Sequence, residues 1–574
     1  MGKKEKLLHV AIILVSGAVA YMNAALAGIL GLDDVGLFSG LFSSDFTVSR
    51  LLSAGKGGYF RPLAYLSYAF DAYAAGMDPG WFHLVNVALH LMNGILVYSL
   101  MSKLVEEAEN QGYLALTAGL LFVLHPINTE AVMWISARSD LLCTFFTLAA
   151  LLLLQQVREH RRFFPLVCLF FAYLLSLFSK EASVILLAVV PCYLLCDESA
   201  KDFKQFTILT APFIIAAVIY FLLRGGENAV VDPSIAKAVK SVIAPIQRTH
   251  QSVVVDLFAV YGFYLKKLVY PFPLNFAIVS IDKPLALFSC LLAVPLAAIL
   301  YFRWRLSRLP ILLVVFGTAL PVIAFTTKLP WTPYAERYLY LPMVGFSMLA
   351  TLLVFKISRL PKIVPVALVL LLAIPTVNRV SLWTYPVAFW TDVVAQSPEF
   401  PRGYIGLAAA QIDAHDYEAA EKNLDRARAA GIDKAPLWNL YASAALARKD
   451  YPRYEAAMSK LASLSPNPVE VYIRLIENLL KIPESDMPRR EVYDKAIGYH
   501  MKILAISPSF NLSYYNLGKL YWVMGDDRNA AHYLRLFVEK AKNDPMTYYA
   551  RKMLDKIRLS TASESRRSTP GQNI

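Results

Sequence analysis

A chain of 574 residues, 57% of them hydrophobic and 17% charged, with a mean hydropathy of +0.46, is too apolar for an ordinary soluble protein and long enough for more than one domain. The formal net charge is +13, but the basic residues lie in short loops between apolar runs, with no ordered stripe interleaved with aromatics. That pattern reports orientation in a membrane and excludes nucleic acid as the expected partner. Cys143, Cys168, Cys192, Cys196 and Cys290 lie in or beside apolar runs without ligand-type partners. They read as small buried residues, and neither a metal nor a cofactor is expected.

The first apolar run, 7–30, follows Lys3, Lys4 and Lys6. It is too long for a signal-peptide core and has no small-residue cleavage site close behind it, so it is expected to remain as a span with its lysines cytoplasmic. Asp33 and Asp34 then emerge on the opposite face. Further spanning runs are expected at about 81–101, 113–127, 140–157, 163–179, 182–197, 206–223, 285–302, 309–327, 338–356 and 362–378. The run 251–270 is expected to lie along the outer interface, because Lys266, Lys267 and the break Pro271–Pro273 suit that placement. Arg303, Arg305, Arg308, Lys356, Arg359 and Lys362 then all fall on the cytoplasmic side.

After Arg379 the composition turns polar and rich in alanine and tyrosine. The stretch Tyr514 to Pro545 has Leu517, Gly518 and Tyr521 on a first helix, a turn at Gly525–Asp527, and Ala530 and Phe537 on a second helix. That is the spacing of a tetratricopeptide repeat, about 34 residues. A second unit starts near Arg402 with Gly406, Ala420 and Pro436, and a third spans 436–468 with Leu440, Tyr441 and Ala444. The segment 470–508 is irregular, interrupted by IPESDMPRR. The predicted fold is all-α: a polytopic membrane bundle of about eleven spans over 1–380, a connector at 381–397, a repeat solenoid at 398–556 and a disordered tail at 557–574. An odd number of spans puts the repeats on the non-cytoplasmic side, where they serve either as a partner-binding surface or as a spacer.

Unusual polar residues gather on that same side. His83, Asn86 and His90 share one face of the run 81–101, as residues lining a cavity would. The segment HPINTEAVMWISARSD brings His125, Asn128, Glu130, Arg138 and Asp140 to the membrane boundary. Lys180 and Glu181 share a turn between two spans, Glu336, Arg337 and Tyr340 stand at the mouth of a late span, and Arg61 lies in the first outer loop. Membrane-surface anchors do not need adjacent opposite charges. Four converging cations, Arg61, Arg138, Lys180 and Arg337, suit the phosphate of a lipid headgroup.

The segments LDDV, FRPLAYLSYAFD, FHLVNVALHLMN, LLFVLHPINTEAVMWISARSDLL, SLFSKEASVILL and AERYLYLP, followed by repeats, resemble the transmembrane and tetratricopeptide-repeat O-mannosyltransferases. These are glycosyltransferases of the GT-C type. The resemblance covers about residues 30 to 350 and extends to the repeats. It departs at Asn128, where the family often has a histidine, so no proton-transfer role is assigned there. The resemblance implies transfer of a sugar, mannose in the first instance, from a polyprenyl-phosphate donor to serine or threonine hydroxyls of a protein acceptor. The reaction would run on the outer or lumenal face, in a bacterial inner membrane or the endoplasmic reticulum, with membrane lipids around the enzyme. By correspondence with the family motif, Asp33 is the expected general base and Asp34 its neighbour or orienter, with inversion at the anomeric carbon. Two other readings remain: a transferase to a lipid or glycan acceptor, and a non-catalytic membrane-tethered repeat scaffold for secretion or polysaccharide assembly.

Overall fold

The computed structural model describes residues 2–31, 33–42, 60–160, 162–195, 202–224, 250–326, 334–357 and 361–567. Among them the backbone is helical apart from turns, loops and one isolated antiparallel bridge between Ile278 and Tyr334. The chain divides into two units, 1–406 and 407–574. The first unit holds α1 (Lys3–Ala20), α2 (Asp33–Phe42), α3 (Pro62–Ala75), α4 (Pro79–Leu104), α5 (Gln111–Leu124), α6 (Thr129–Met133), α7 (Arg138–His160), α8 (Phe163–Ser179), α9 (Leu186–Leu195) and α10 (Phe203–Arg224). It continues with α11 (His250–Val269), α12 (Lys283–Arg303), α13 (Arg308–Thr326), α14 (Tyr340–Ile357), α15 (Ile363–Leu370), α16 (Ala373–Thr384) and α17 (Pro386–Gln396).

Seven helical stretches among the described residues are long and apolar enough to cross a membrane, and an eighth arises if α5 and the segment Pro126–Met133 form one bent span. The protein is a polytopic membrane protein. Of the eleven expected spans, α1, α8 and α9 do not reach that length and apolarity, although each is a helix where a span was expected. The bend of 45° after α5 has a local cause: Pro126 cannot continue the helix, and His125 adopts an extended backbone before it. The start of α4 is equally legible. Pro79 occupies the first turn, and Asp78 Oδ1 accepts from the Gly80 N–H at 3.1 Å.

Close backbone approach packs the bundle near α1, α4 and α5. A Cβ on Gly94 would lie 2.2 Å from Val123 Cγ2, so a larger residue there would have to displace the Val123 side chain. The two ends of the bundle differ. The end holding the α4 C-terminus pairs Lys103 with Glu159 at 3.0 Å and sets Lys356 Nζ 4.2 Å from the Trp304 ring centroid. The end holding the α4 N-terminus carries the acid-base residues described below. The helix α11 packs along α12 and is not among the stretches apolar enough to span. Lys267, read from the sequence as an interfacial anchor, is instead buried in an ion pair.

The helix Pro401–Asp413, labelled α18, runs through the boundary between units. The second unit pairs α19 (Tyr417–Ala429) with α20 (Ala435–Ala447), and α20 with α21 (Tyr451–Leu464). It goes on through α22 (Pro468–Leu480), α23 (Arg489–Ile506), α24 (Asn511–Val523), α25 (Asp527–Lys540) and α26 (Met546–Arg567). The turns repeat one device. His415 (φ 63°), Lys449 (φ 60°) and Gly525 (φ 80°) adopt the left-handed conformation, and the aspartate after each caps the next helix. Asp416 accepts from the Ala419 N–H at 3.2 Å, Asp450 from the Arg453 N–H at 3.2 Å and Asp526 from the Asn529 N–H at 3.0 Å. The irregular segment at 470–508 does not interrupt the stack. Its IPESDMPRR stretch is a longer turn between α22 and α23, and Ile482 and Met487 of that turn are buried in the repeat core. At the other end α26 runs to Arg567, so the first part of the stretch 557–574 is helix, contrary to the expected disorder; 568–574 lie outside the described residues.

Candidate active site

Asp33 and Asp34 open α2, where free backbone N–H groups favour carboxylates. Their environments differ. Asp33 is exposed. Asp34 is buried and accepts from the Ser136 backbone N–H at 2.9 Å and from Ser136 Oγ. Burial pushes the Asp34 carboxyl up to about 7, against the pull of the Ser136 hydrogen bonds; the charge of Asp33 adds a smaller rise.

Ser136 belongs to the short connection between α6 and α7, and that connection also touches the cations. Arg337 lies over Trp134, two residues before Ser136, with its Cζ 4.4 Å from the ring centroid. Its Nη1 donates to Glu130 Oε1 at 2.6 Å, while the backbone N–H groups of Glu336 and Arg337 donate to Glu130 Oε2 at 2.9 and 3.2 Å. On its other side Arg337 Cζ is 5.0 Å from the Tyr338 ring, and Lys180 Nζ is 5.7 Å from the same ring. Lys180 donates to both oxygens of Asp140 at 2.7 Å. Glu181 accepts from Arg61 Nε at 3.2 Å and from Arg61 Nη2 at 2.6 Å. Contacts together with adjacency along the chain, at Trp134–Ser136 and at Lys180–Glu181, therefore link Asp34, Glu130, Arg337, Lys180, Asp140, Glu181 and Arg61.

Arg138 is a different kind of residue. Its side chain is 0% exposed, and all three guanidinium nitrogens are engaged. Nε donates to Asn86 Oδ1 at 2.7 Å, Nη2 to the Phe82 carbonyl at 2.9 Å, and Nη1 to Asp71, while the Tyr68 ring lies 4.7 Å away. It ties α3, α4 and α7 together and has no nitrogen left to offer a lipid phosphate. Asn86 completes the tie by donating to the carbonyls of Val132 and Trp134 at 3.2 and 3.3 Å.

The three histidines have separate partners. His83 Nε2 is 3.3 Å from the Gly28 carbonyl, and its buried Nδ1 has no protein partner. His90 Nε2 is 3.1 Å from the Val123 carbonyl, which can only accept, so Nε2 carries the proton. Its Nδ1 must then accept from the Tyr340 hydroxyl at 2.8 Å, and that hydroxyl accepts from Asn93 Nδ2 at 3.2 Å. His125 is buried at the bend, its Nδ1 accepting from the Ile127 N–H at 3.4 Å. Asn128 donates to the Phe122 carbonyl at 2.7 Å. Glu336 turns away from Arg337: its Oε1 accepts from Lys267 Nζ at 2.8 Å and from the Asn275 N–H at 2.9 Å.

No family model matches the chain. Curated relatives do. A protein O-mannosyl-transferase of Caenorhabditis elegans is 24% identical over 409 residues, 67% of this chain and 55% of that protein. One of Mus musculus is 33% identical over 174 residues, 29% of this chain and 18% of that protein. One of Drosophila melanogaster is 35% identical over 157 residues, 27% of this chain and 18% of that protein. The chain is similar to these protein O-mannosyl-transferases. Of these three, the longest match spans about half the length of the relative.

Four residues that the sequence reading did not single out matter to the geometry: Asp71, Trp134, Ser136 and Tyr338. Asp71 carried a signal, since it is an isolated acid in the apolar helix α3 and an acid in such a place needs a partner. The other three carried none. A serine and two aromatics become informative only once their neighbours across the bundle are known.

Proposed function

We propose that this chain is a membrane glycosyltransferase that moves a sugar, mannose in the first instance, from a polyprenyl-phosphate donor to serine or threonine hydroxyls of a protein. The reaction takes place on the non-cytoplasmic face of a bacterial inner membrane or of the endoplasmic reticulum, and the repeats on that face engage the acceptor. One observation carries the reading: the connection Trp134–Ser136 holds the acid pair at one end, through Asp34, and the cations at the other, through Arg337. A carboxylate beside clustered cations is what this transfer requires. A hydroxyl is a poor nucleophile and gains from a positioned base, and a departing lipid phosphate needs positive charge more than a proton.

In this reading Asp33, the exposed member of the pair, takes the proton from the acceptor hydroxyl as its oxygen attacks the anomeric carbon. The bond from that carbon to the phosphate oxygen breaks, and the lipid phosphate leaves with the bonding electrons, inverting the configuration. Lys180, Arg337 and Arg61 meet the charge on the phosphate. Asp34 positions Asp33 by fastening α2 to Ser136. No metal or cofactor is invoked.

The test is transfer of labelled mannose from polyprenyl-phosphate-mannose in proteoliposomes, with Lys180→Met and Arg337→Met beside the wild type. Hydrogen bonds to charged groups contribute roughly 1.5–3 kcal/mol each, so each variant should lose about tenfold or more in donor affinity or transfer. Wild-type donor kinetics in both variants would contradict the phosphate role. Label recovered in lipid or glycan instead of protein would reassign the acceptor.

A further inference from the structure

An apolar groove lies between α9 and α10. The groove encloses a cavity of about 320 Å³ and is lined by Leu187, Val190, Phe213, Ile214, Val218 and Phe221, among others. Proline sits inside both helices, Pro191 in α9 and Pro212 in α10. Each removes a helical hydrogen bond and disfavours straight, close packing, which gives the space between the helices a local cause. One wall is inner protein, with Val190 and Phe213 buried. The rim is open, with Ile214, Val218 and Phe221 exposed, so a hydrocarbon chain could enter from the side.

The groove has a polar head. Thr210 and Phe221 both line it and lie eleven residues apart on α10, about 16 Å along the axis at ~1.5 Å per residue. At the Phe221 end, Tyr220 packs its ring 5.8 Å from Phe60 and 6.3 Å from Phe178. Those are near neighbours in sequence of Arg61 and Lys180. On the other helix, the turn that begins with Glu181 leads straight into Leu186 at the start of α9. Arg224 closes α10 at the same end, its Nη1 3.4 Å from the Tyr220 hydroxyl. An apolar slot that ends at Arg224, where the neighbours of Arg61 and Lys180 in sequence also pack, complements one kind of molecule: a phosphate with a long hydrocarbon tail.

We infer that the α9–α10 groove holds the first isoprene units of the lipid-linked donor, with Arg224 joining Arg61 and Lys180 at the phosphate. The inference rests on the donor class proposed above. Arg61 already presents a two-nitrogen fork to a carboxylate, and the same fork fits two phosphate oxygens. An isoprenoid tail would bury against Val190 and Phe213 while its remaining length runs out into the bilayer over Val218.

The probe is a polyprenyl phosphate with no sugar, carrying a photoreactive group on an early isoprene unit, added to the full chain in liposomes. The expected result is crosslinking to peptides within 186–195 and 203–224, displaced by unlabelled polyprenyl phosphate and not by a tenfold excess of phosphatidylglycerol. Val218→Trp and Ile214→Trp place an indole at the rim; both positions are exposed, so the packed interior is untouched. Each should lower crosslinking about tenfold, and Arg224→Gln should weaken probe binding several-fold. Crosslinks elsewhere, or equal displacement by phosphatidylglycerol, would overturn the inference. Crosslinks in the groove without any sugar transfer would leave the groove standing and remove the transferase. Normal transfer with normal crosslinking in both tryptophan variants would remove the groove and leave the transferase.

Discussion

At the scale of single residues, the cations divide into those that can reach a ligand and one that cannot. Arg61 and Arg337 are held by carboxylates and stay partly exposed, Lys180 is paired with Asp140 in a buried position, and Arg138 is sealed among Asp71, Asn86 and Tyr68. Removing one partner of a buried pair leaves the other charge uncompensated and costs roughly 3–5 kcal/mol. Arg138→Ala should therefore lower the yield and thermal stability of folded protein in detergent, whereas Arg61→Ala, whose partner Glu181 is partly exposed, should leave both near wild type and act on donor binding. Equal melting temperatures for the two would contradict the distinction. The Asp34 carboxyl gives a second prediction. Burial raises it from an ordinary 3.8 to about 7, so the folded state holds its proton more tightly than the unfolded chain does. Its contribution is fully present below about pH 4 and is lost as pH rises through 7. Hydrogen exchange in α2 should accelerate between pH 5 and 8, and Asp34→Asn should flatten that dependence. A flat wild-type profile would show that the seat of Asp34 on Ser136 does not titrate in this range. None of these pairings could be read from the sequence. Arg138 and Asp71 are 67 residues apart and Arg337 and Glu130 are 207 apart, and periodicity reveals which face a residue takes but not what stands opposite it.

At the scale of elements, what was legible followed local chemistry. Apolar length marked α4, α7, α10, α12 and α14, and proline marked the bend after α5. The repeats were legible from small residues and turns, and Asp416 and Asp450 stand one 34-residue period apart, each capping the second helix of its pair. The eight-residue turn 481–488 was harder to place, because its two prolines resemble a break although its apolar residues complete the core. Capping by Asp450 should be worth about 1 kcal/mol, so Asp450→Ala should speed hydrogen exchange in α21 several-fold. Lys449→Gly should slow it, because a left-handed backbone costs a residue with a Cβ about 1–2 kcal/mol. Unchanged protection in both variants would mean that the turn does not limit the opening of that helix.

At the scale of the whole molecule, the polytopic bundle sets its linked acids and bases at the α4 N-terminal end, while at the other end Lys103 pairs with Glu106 and Glu159 and Lys356 lies over Trp304. Within that end, Trp134–Ser136 is the part that touches both Asp34 and Arg337. The central claim is that Asp33 activates the acceptor while other residues hold the donor. Asp33→Asn keeps the size and much of the hydrogen bonding and removes the basicity. The most direct measurement is single-turnover transfer of labelled mannose from bound polyprenyl-phosphate-mannose, with donor affinity measured on the same samples. The account predicts that Asp33→Asn lowers turnover by about a hundredfold or more with donor affinity nearly unchanged, and that Asp34→Asn has a milder effect. Full turnover in both variants would contradict it.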